Sequence, residues 1–236
     1  MSYKSLEQFD KIKRLLVVAA HPDDLETQCG GAVYLLAQRG VTVFSVNCTL
    51  GDLGSHDPSF HRPGLASARL TETDAAAEVL GIEQTFNLGR PDGELVADLA
   101  LRAEIAHLYR LTQADTVWTF DPYWTGQIHP DHRAAAQAAV DAYMPSKMPL
   151  YRPDQLLNGT GLSVVERIFF FGTAREPDIF VDIEPVYEAK MASCRAHLSQ
   201  FPKGDESLVW MNELDGRRGE PVGLKYAESF RELAVW

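Results

Sequence analysis

The feature that most limits what this chain can fold into is a rhythm. Short apolar runs of strand character are each followed by a longer stretch of helical character. Residues 14–20, RLLVVAA, are almost wholly apolar, as strands are when a parallel sheet is covered on both faces. A helix is predicted from about Glu26 to Gln38, stopping at Gly40, and the β-branched VTVFSVNCT (41–49) reads as the second strand. A loop dense in Gly, Pro and His follows over 50–64, then a helix over 66–81 and a short strand over 85–88. A helix around Glu94–Thr112, the strand 115–120, a loop over 121–127 and a helix over 129–143 complete the pattern. Such alternation specifies an α/β fold, a Rossmann-like three-layer sandwich with a mostly parallel sheet.

The last third is less regular. Residues 144–163 form a long Pro- and Gly-bearing connection of the kind that makes a rim, VVERIFFFG and DIFVDI are two further strands, and 184–201 reads as one helix. Beyond Phe201 no element is assigned. With no internal repeat, the 236 residues are expected to form a single domain, with a core over about 14–201 and a C-terminal extension over 202–236.

Composition removes several partners. With 22 basic and 33 acidic residues the net charge is −11, and no Lys/Arg run offers a surface for nucleic acid or an anionic membrane. The cysteines, Cys29, Cys48 and Cys194, are odd in number and lack metal-ligand spacing, which suits a reducing compartment. The first residues lack the apolar core of a secretion signal, and no stretch reaches the roughly 18–20 apolar residues of a membrane span. The expectation is a soluble cytoplasmic protein acting on a small molecule, with homo-oligomer formation left open.

In open α/β sheets ligands bind beyond the carboxyl ends of the strands, and three polar clusters fall there. They are HPDD (21–24) after the first strand, LGDLG (50–54) after the second, and DPYWTGQIHPDH (121–132) after the fourth. If the strand order is doubly wound 3-2-1-4-5, the first and third clusters face each other across the switch point. Two imidazoles and a carboxylate with an open position for water form a common catalytic zinc set. Each residue also has a bland reading. His21 can be satisfied by a backbone carbonyl, Asp23 and Asp24 can cap the next helix, and Asp131 and His132 can be ordinary first-turn residues. His129 can cap the helix that Pro130 and Asp131 begin. His56, His61 and His107 have no such company and are read as solvent-facing. Gly30-Gly31 is not a dinucleotide fingerprint; two glycines inside a helix point to close packing against the sheet. No Gly-x-Ser-x-Gly elbow is present.

AHPDDLETQCGG (20–31) and HPDH (129–132) together resemble the PIG-L/LmbE-like N-deacetylases, zinc enzymes that remove acetyl from N-acetylated amino sugars such as N-acetylglucosamine. VNCTLGDLG, RLTETDAAAEVLGI, NLGRPDG and CRAHLSQ extend the resemblance, in order, over about residues 14–201. The resemblance implies an LmbE-like fold and one Zn²⁺ per chain held by His21, Asp24 and His132, with other divalent metals open. It implies Asp23 as general base, His129 beside the developing oxyanion, and Asp131 orienting the second cluster. It further implies that Arg69 and Asp92 contact the sugar, although Arg69 could instead pair with Glu72 on the helix surface. Two departures stand out: Leu25 separates the Asp pair from Glu26, and Gln127 stands where some thiol-biosynthesis members carry Tyr.

The expected function is a metal-dependent hydrolase that removes an N-acetyl group from an amino sugar or its small conjugate. An amidase on a larger amino-sugar conjugate is the nearest alternative. A phosphoester hydrolase would need a Lys/Arg clamp near the cluster, and a non-catalytic metal- or sugar-binding module would have no use for Asp23.

Overall fold

In the computed structural model, which describes residues 5–234, seven strands form one sheet in the order β3-β2-β1-β4-β5-β7-β6. β1 (Arg14–Ala19) lies at the centre, parallel to β2 (Thr42–Thr49) on one side and β4 (Thr116–Phe120) on the other. β3 (Gln84–Arg90) and β5 (Arg167–Phe171) continue the parallel part outward. β7 (Ala227–Leu233) then pairs antiparallel with both β5 and β6 (Ile179–Asp182). The sandwich of mostly parallel sheet and flanking helices is as expected, including the 3-2-1-4-5 order.

β1 shows why. Leu15 and Val17 face one layer, Leu16 and Val18 the other, and all four are fully buried. Burying each is worth about 1.5–3 kcal/mol, which is why this doubly covered run takes the centre of the sheet. On one side Leu16 and Val18 meet α3 (Leu99–Thr112) and the alanine-rich α4 (Pro130–Ser146). On the other, Leu15 and Val17 meet α1 (Asp24–Gln38), Trp118 and Phe9. α2 (Arg62–Leu80), α5 (Tyr187–Arg195) and α6 (Asp205–Gly219) complete the helices, with a small separate core of Met191, Cys194, Leu208 and Met211 between α5 and α6. All three cysteines are free and buried, and no helix of the described residues is long and apolar enough to cross a membrane.

Several boundaries depart from the sequence reading, α2 for instance starting at Arg62 and not 66, and three of them have a clear tertiary reason. α3 starts at Leu99 rather than near Glu94, because Asp98 caps Leu101 N–H at 2.7 Å and the amides of Gly93 and Leu95 are drawn to Asp131. The helix expected over 184–201 ends at Arg195, and residues 196–201 turn so that Ser199 reaches Glu72. The third concerns the tail: the core does not end at 201, since α6 lies within residues 202–234 and β7 sits inside the sheet with Phe230 fully buried.

Candidate active site

The first cluster is built by the turn between β1 and α1. Asp23 occupies the left-handed region at φ 92°, rare for a residue with a Cβ and sustained only where surroundings over-determine it. Those surroundings are Arg69, buried on α2. Its guanidinium donates to Asp23 Oδ2 at 2.8 Å, to the Pro22 carbonyl, and to the Gly51 carbonyl at 2.9 Å. Asp24 is oriented from the other side, its Oδ2 accepting from the amides of Ala20 (3.1 Å) and His21 (2.8 Å).

The second cluster arrives on the N-terminus of α4, across the switch point. His129 is the cap, its Nδ1 accepting from Asp131 N–H at 3.2 Å, and Pro130 opens the helix. His132 stacks between Phe120 (centroids 4.1 Å apart) and His129 (4.4 Å), so its ring plane is fixed by β4 and the cap together. Asp24 joins the clusters: Oδ2 lies 3.4 Å from His21 Nδ1 and Oδ1 lies 3.2 Å from His132 Nε2.

The structure corrects several sequence expectations. Asp131 does not orient the second cluster with its side chain. The carboxylate is fully buried and reaches the first cluster, with Oδ2 3.2 Å from His21 Nε2 and 2.7 Å from Gly93 N, while Oδ1 accepts from Leu95 N. Asp92 has both oxygens engaged, one by His21 Nε2 at 3.1 Å and one by Leu53 N at 2.8 Å. Arg69 turns inward to Asp23, and the alternative pairing with Glu72 fails because Glu72 accepts from Ser199 N and Oγ. Arg69 and Asp92 make these contacts within the protein and also line the cavity, where the expected contact with a sugar belongs. His107 is half-buried with an enclosed Nδ1 rather than solvent-facing, and His61 is exposed but caps α2 through Gly64 N.

Charge follows from this crowding. Burial works against the His21 imidazolium, yet Asp24 and Asp92 overcome it and raise its pKa to about 11. Burial opposes the Asp24 carboxylate too, but His132 and His21 hold it well below the usual range. Burial pushes Asp23 up to about 6 against the pull of Arg69. His129 is lowered, chiefly by burial and then by His132 and His21. A neutral ring whose Nδ1 accepts an amide proton carries its own proton on Nε2, so His129 is a donor there.

A divalent ion fits this arrangement. Three carboxylates surround His21 against two nearby imidazoles, a surplus of negative charge in a buried place. Zinc donors at about 2.0–2.1 Å in a tetrahedron lie roughly 3.3–3.4 Å apart, and the His21–Asp24 and Asp24–His132 contacts are 3.4 and 3.2 Å. Two other combinations converge: His21 with His129 and His132, and His21 with Asp92 and Asp131. In the latter, Asp92 and Asp131 meet His21 Nε2, the nitrogen turned away from Asp24, as outer partners of a metal-bound imidazole do.

Three participants escaped the sequence reading. Gln200 lines the cavity, Glu72 pins Ser199 beside it, and the fully buried His197 lies 3.5 Å from Glu26 behind the Asp23 turn. CRAHLSQ was the available signal, but reading it as continuous helix hid the turn. The cavity, about 400 Å³, holds His21, Asp23, Asp24, His129 and His132. A second cavity of about 710 Å³ adjoins it and shares Leu53, Gly54 and Gln200.

Comparison with known proteins agrees. The family model for GlcNAc-PI de-N-acetylase (PIG-L) matches residues 16–143. A diacetylchitobiose deacetylase of Thermococcus kodakarensis is 31% identical, covering 98% of this chain and 87% of its own length. The solved N,N'-diacetylchitobiose deacetylase of Pyrococcus horikoshii superposes with a TM-score of 0.89 at 30% identity, over 95% of this chain and 85% of that one. A 4-oxalmesaconate hydratase of Pseudomonas putida is 27% identical over 80% of this chain and 74% of its own.

Proposed function

Since this chain belongs to the PIG-L family of GlcNAc-PI de-N-acetylases, we propose that it is a metal-dependent hydrolase removing the N-acetyl group from an N-acetylated amino sugar or its small conjugate. The observation that carries the reading is Asp23. Metal binding alone does not require it, yet it is held in a costly backbone conformation by a buried arginine and opens into the cavity of His21, Asp24 and His132.

His21, Asp24 and His132 would hold the ion, zinc by the preference of two imidazoles and a carboxylate. When bound, the ion supplies Lewis acidity, lowering the pKa of water towards about 7 and polarising the acetyl carbonyl. Asp23 accepts the proton of the attacking water and returns it to the leaving amine, help typically worth about 10²–10⁴-fold. Arg69 fixes the direction of that carboxylate and keeps its pKa from rising further. His129, neutral and protonated on Nε2, donates to the oxyanion as the carbonyl becomes tetrahedral. Asp131 and Asp92 hold the His21 ring from behind. The whole chain acts as one domain, working in the cytoplasm.

The adjoining cavity favours a substrate larger than one sugar ring, which keeps the larger-conjugate amidase in view. The test is amine and acetate release from N-acetylglucosamine, N,N'-diacetylchitobiose and larger acylated conjugates by the zinc-loaded protein and by Asp23→Asn. The expected result is equimolar amine and acetate, lost about 10²–10⁴-fold in Asp23→Asn with metal still bound. A larger acid in place of acetate would select the amidase, and no amine from any substrate would sink both.

A further inference from the structure

The helix that carries Asp24 is broken. α1 runs from Asp24 to Gln38, but Cys29 leaves helical geometry at φ −147° and ψ 17°, so a short first segment is followed by a second helix that must start afresh. A restarting helix has orphaned amides, and here a remote carboxylate takes them. Glu228, from β7, accepts from Gly31 N at 2.9 Å and Ala32 N at 2.7 Å. A Cβ on Gly31 would lie 2.7 Å from Ile183 Cγ2, which would have to shift, and 3.3 Å from Glu228 Oε1, a tight contact, so a side chain here would displace Ile183 first and crowd the carboxylate second.

Glu228 is itself fixed. Lys190 of α5 lies 2.9 Å from it and 2.8 Å from Asp215 of α6, with all three fully buried. Arg218 pairs with Asp215 at 3.2 Å and donates to Gln28 Oε1 at 2.6 Å, inside the short segment. Two cations and two anions balance. Buried ionic groups add little stability over apolar residues of similar size, so a closed network around a helix break is better explained by the geometry it fixes. On the far side of that break, five residues before Cys29, stands Asp24 at the start of the helix, with Asp23 as the cap before it.

We propose that Glu228, held by Lys190, which Asp215 anchors from its other side, is a positioning residue. By capping the restarted half of α1 it fixes the break at Cys29, and with it the direction of the segment presenting Asp23 and Asp24. The C-terminal strand, outside the residues matched by the family model, thereby becomes part of the site's scaffold. The kinetic arm of the test rests on the deacetylase reading, and the metal arm does not.

The experiment compares wild type with Glu228→Gln and Gly31→Ala, the latter leaving every charge in place, and with the double variant Lys190→Met/Glu228→Leu, which replaces the ion pair by apolar groups. Zinc affinity is read by chelator competition, kcat and KM by amine release, and folding by circular dichroism and Tm. The expected result is about tenfold weaker zinc binding and about tenfold lower kcat, with KM within twofold, in each variant that stays folded at the assay temperature. A folded double variant with wild-type affinity and kcat would overturn the proposal, because packing alone would then set the segment. So would a loss confined to Tm in Glu228→Gln. A wild type that binds zinc but releases no amine would sink the deacetylase reading and leave the affinity comparison to decide this one.

Discussion

At the scale of single residues, the site is a set of charges that tolerate burial because each has a partner. Asp131 was legible as a first-turn acid beside two histidines, but which histidine it serves depends on a fold that brings Gly93 and His21 together. His197 was hidden further, since CRAHLSQ marks the segment but not its burial behind Asp23. Burial disfavours its imidazolium, and Glu26, with help from Asp23 and against Arg69, overcomes that and holds its pKa above 6.5. A folded-state pKa above the unfolded value gives stability that is complete below 6.5 and lost as pH rises through the folded value. His197→Gln is therefore expected to lower Tm most near about pH 6, with the gap to wild type closing in alkaline buffer. A pH-independent gap would show that packing, not charge, is what His197 contributes.

At the scale of elements, β7 is the instructive case. AESFREL offers Glu, Arg and Glu within seven residues and does not read as an interior strand. It becomes one because its charges are met elsewhere: Glu228 by Lys190, Glu232 by Arg167 at 2.7 Å, and Arg231 by Asp121 at 3.8 Å. Because β7 lies between β5 and β6, deleting residues 227–236 strands β6 and exposes the edge of β5. Such a truncation is expected to give no cooperative thermal transition. A truncated protein melting cooperatively near the wild-type temperature would show that the tail is dispensable after all. β1, β2, β4 and α4 stood out in the sequence for the opposite reason, since each is fixed by local pattern: buried runs, β-branching, and a His-Pro-Asp start.

At the scale of the whole molecule, the site lies where chain segments distant in sequence converge, so metal and fold should be coupled. An ion that binds the folded chain at 1,000 times its Kd adds about 4 kcal/mol. For a domain of this size that is a Tm rise of about 8–16 °C. Stripping the metal with a chelator is expected to lower Tm by that order, and zinc should restore it. An unchanged Tm after verified metal removal would mean the site is not the metal centre proposed here.

The α/β alternation and the two His-Pro-Asp clusters were legible along the chain, because strand burial, helix starts and ligand chemistry are written in residues close together in sequence. It took the assembled fold to set Arg69 against Asp23, to turn Asp131 and Asp92 toward His21, and to bring Glu228 to the break in α1. Those pairings join residues about 40 to 200 positions apart. Their partners are chosen by where the folded sheet delivers an unmatched charge or amide, which no local pattern encodes.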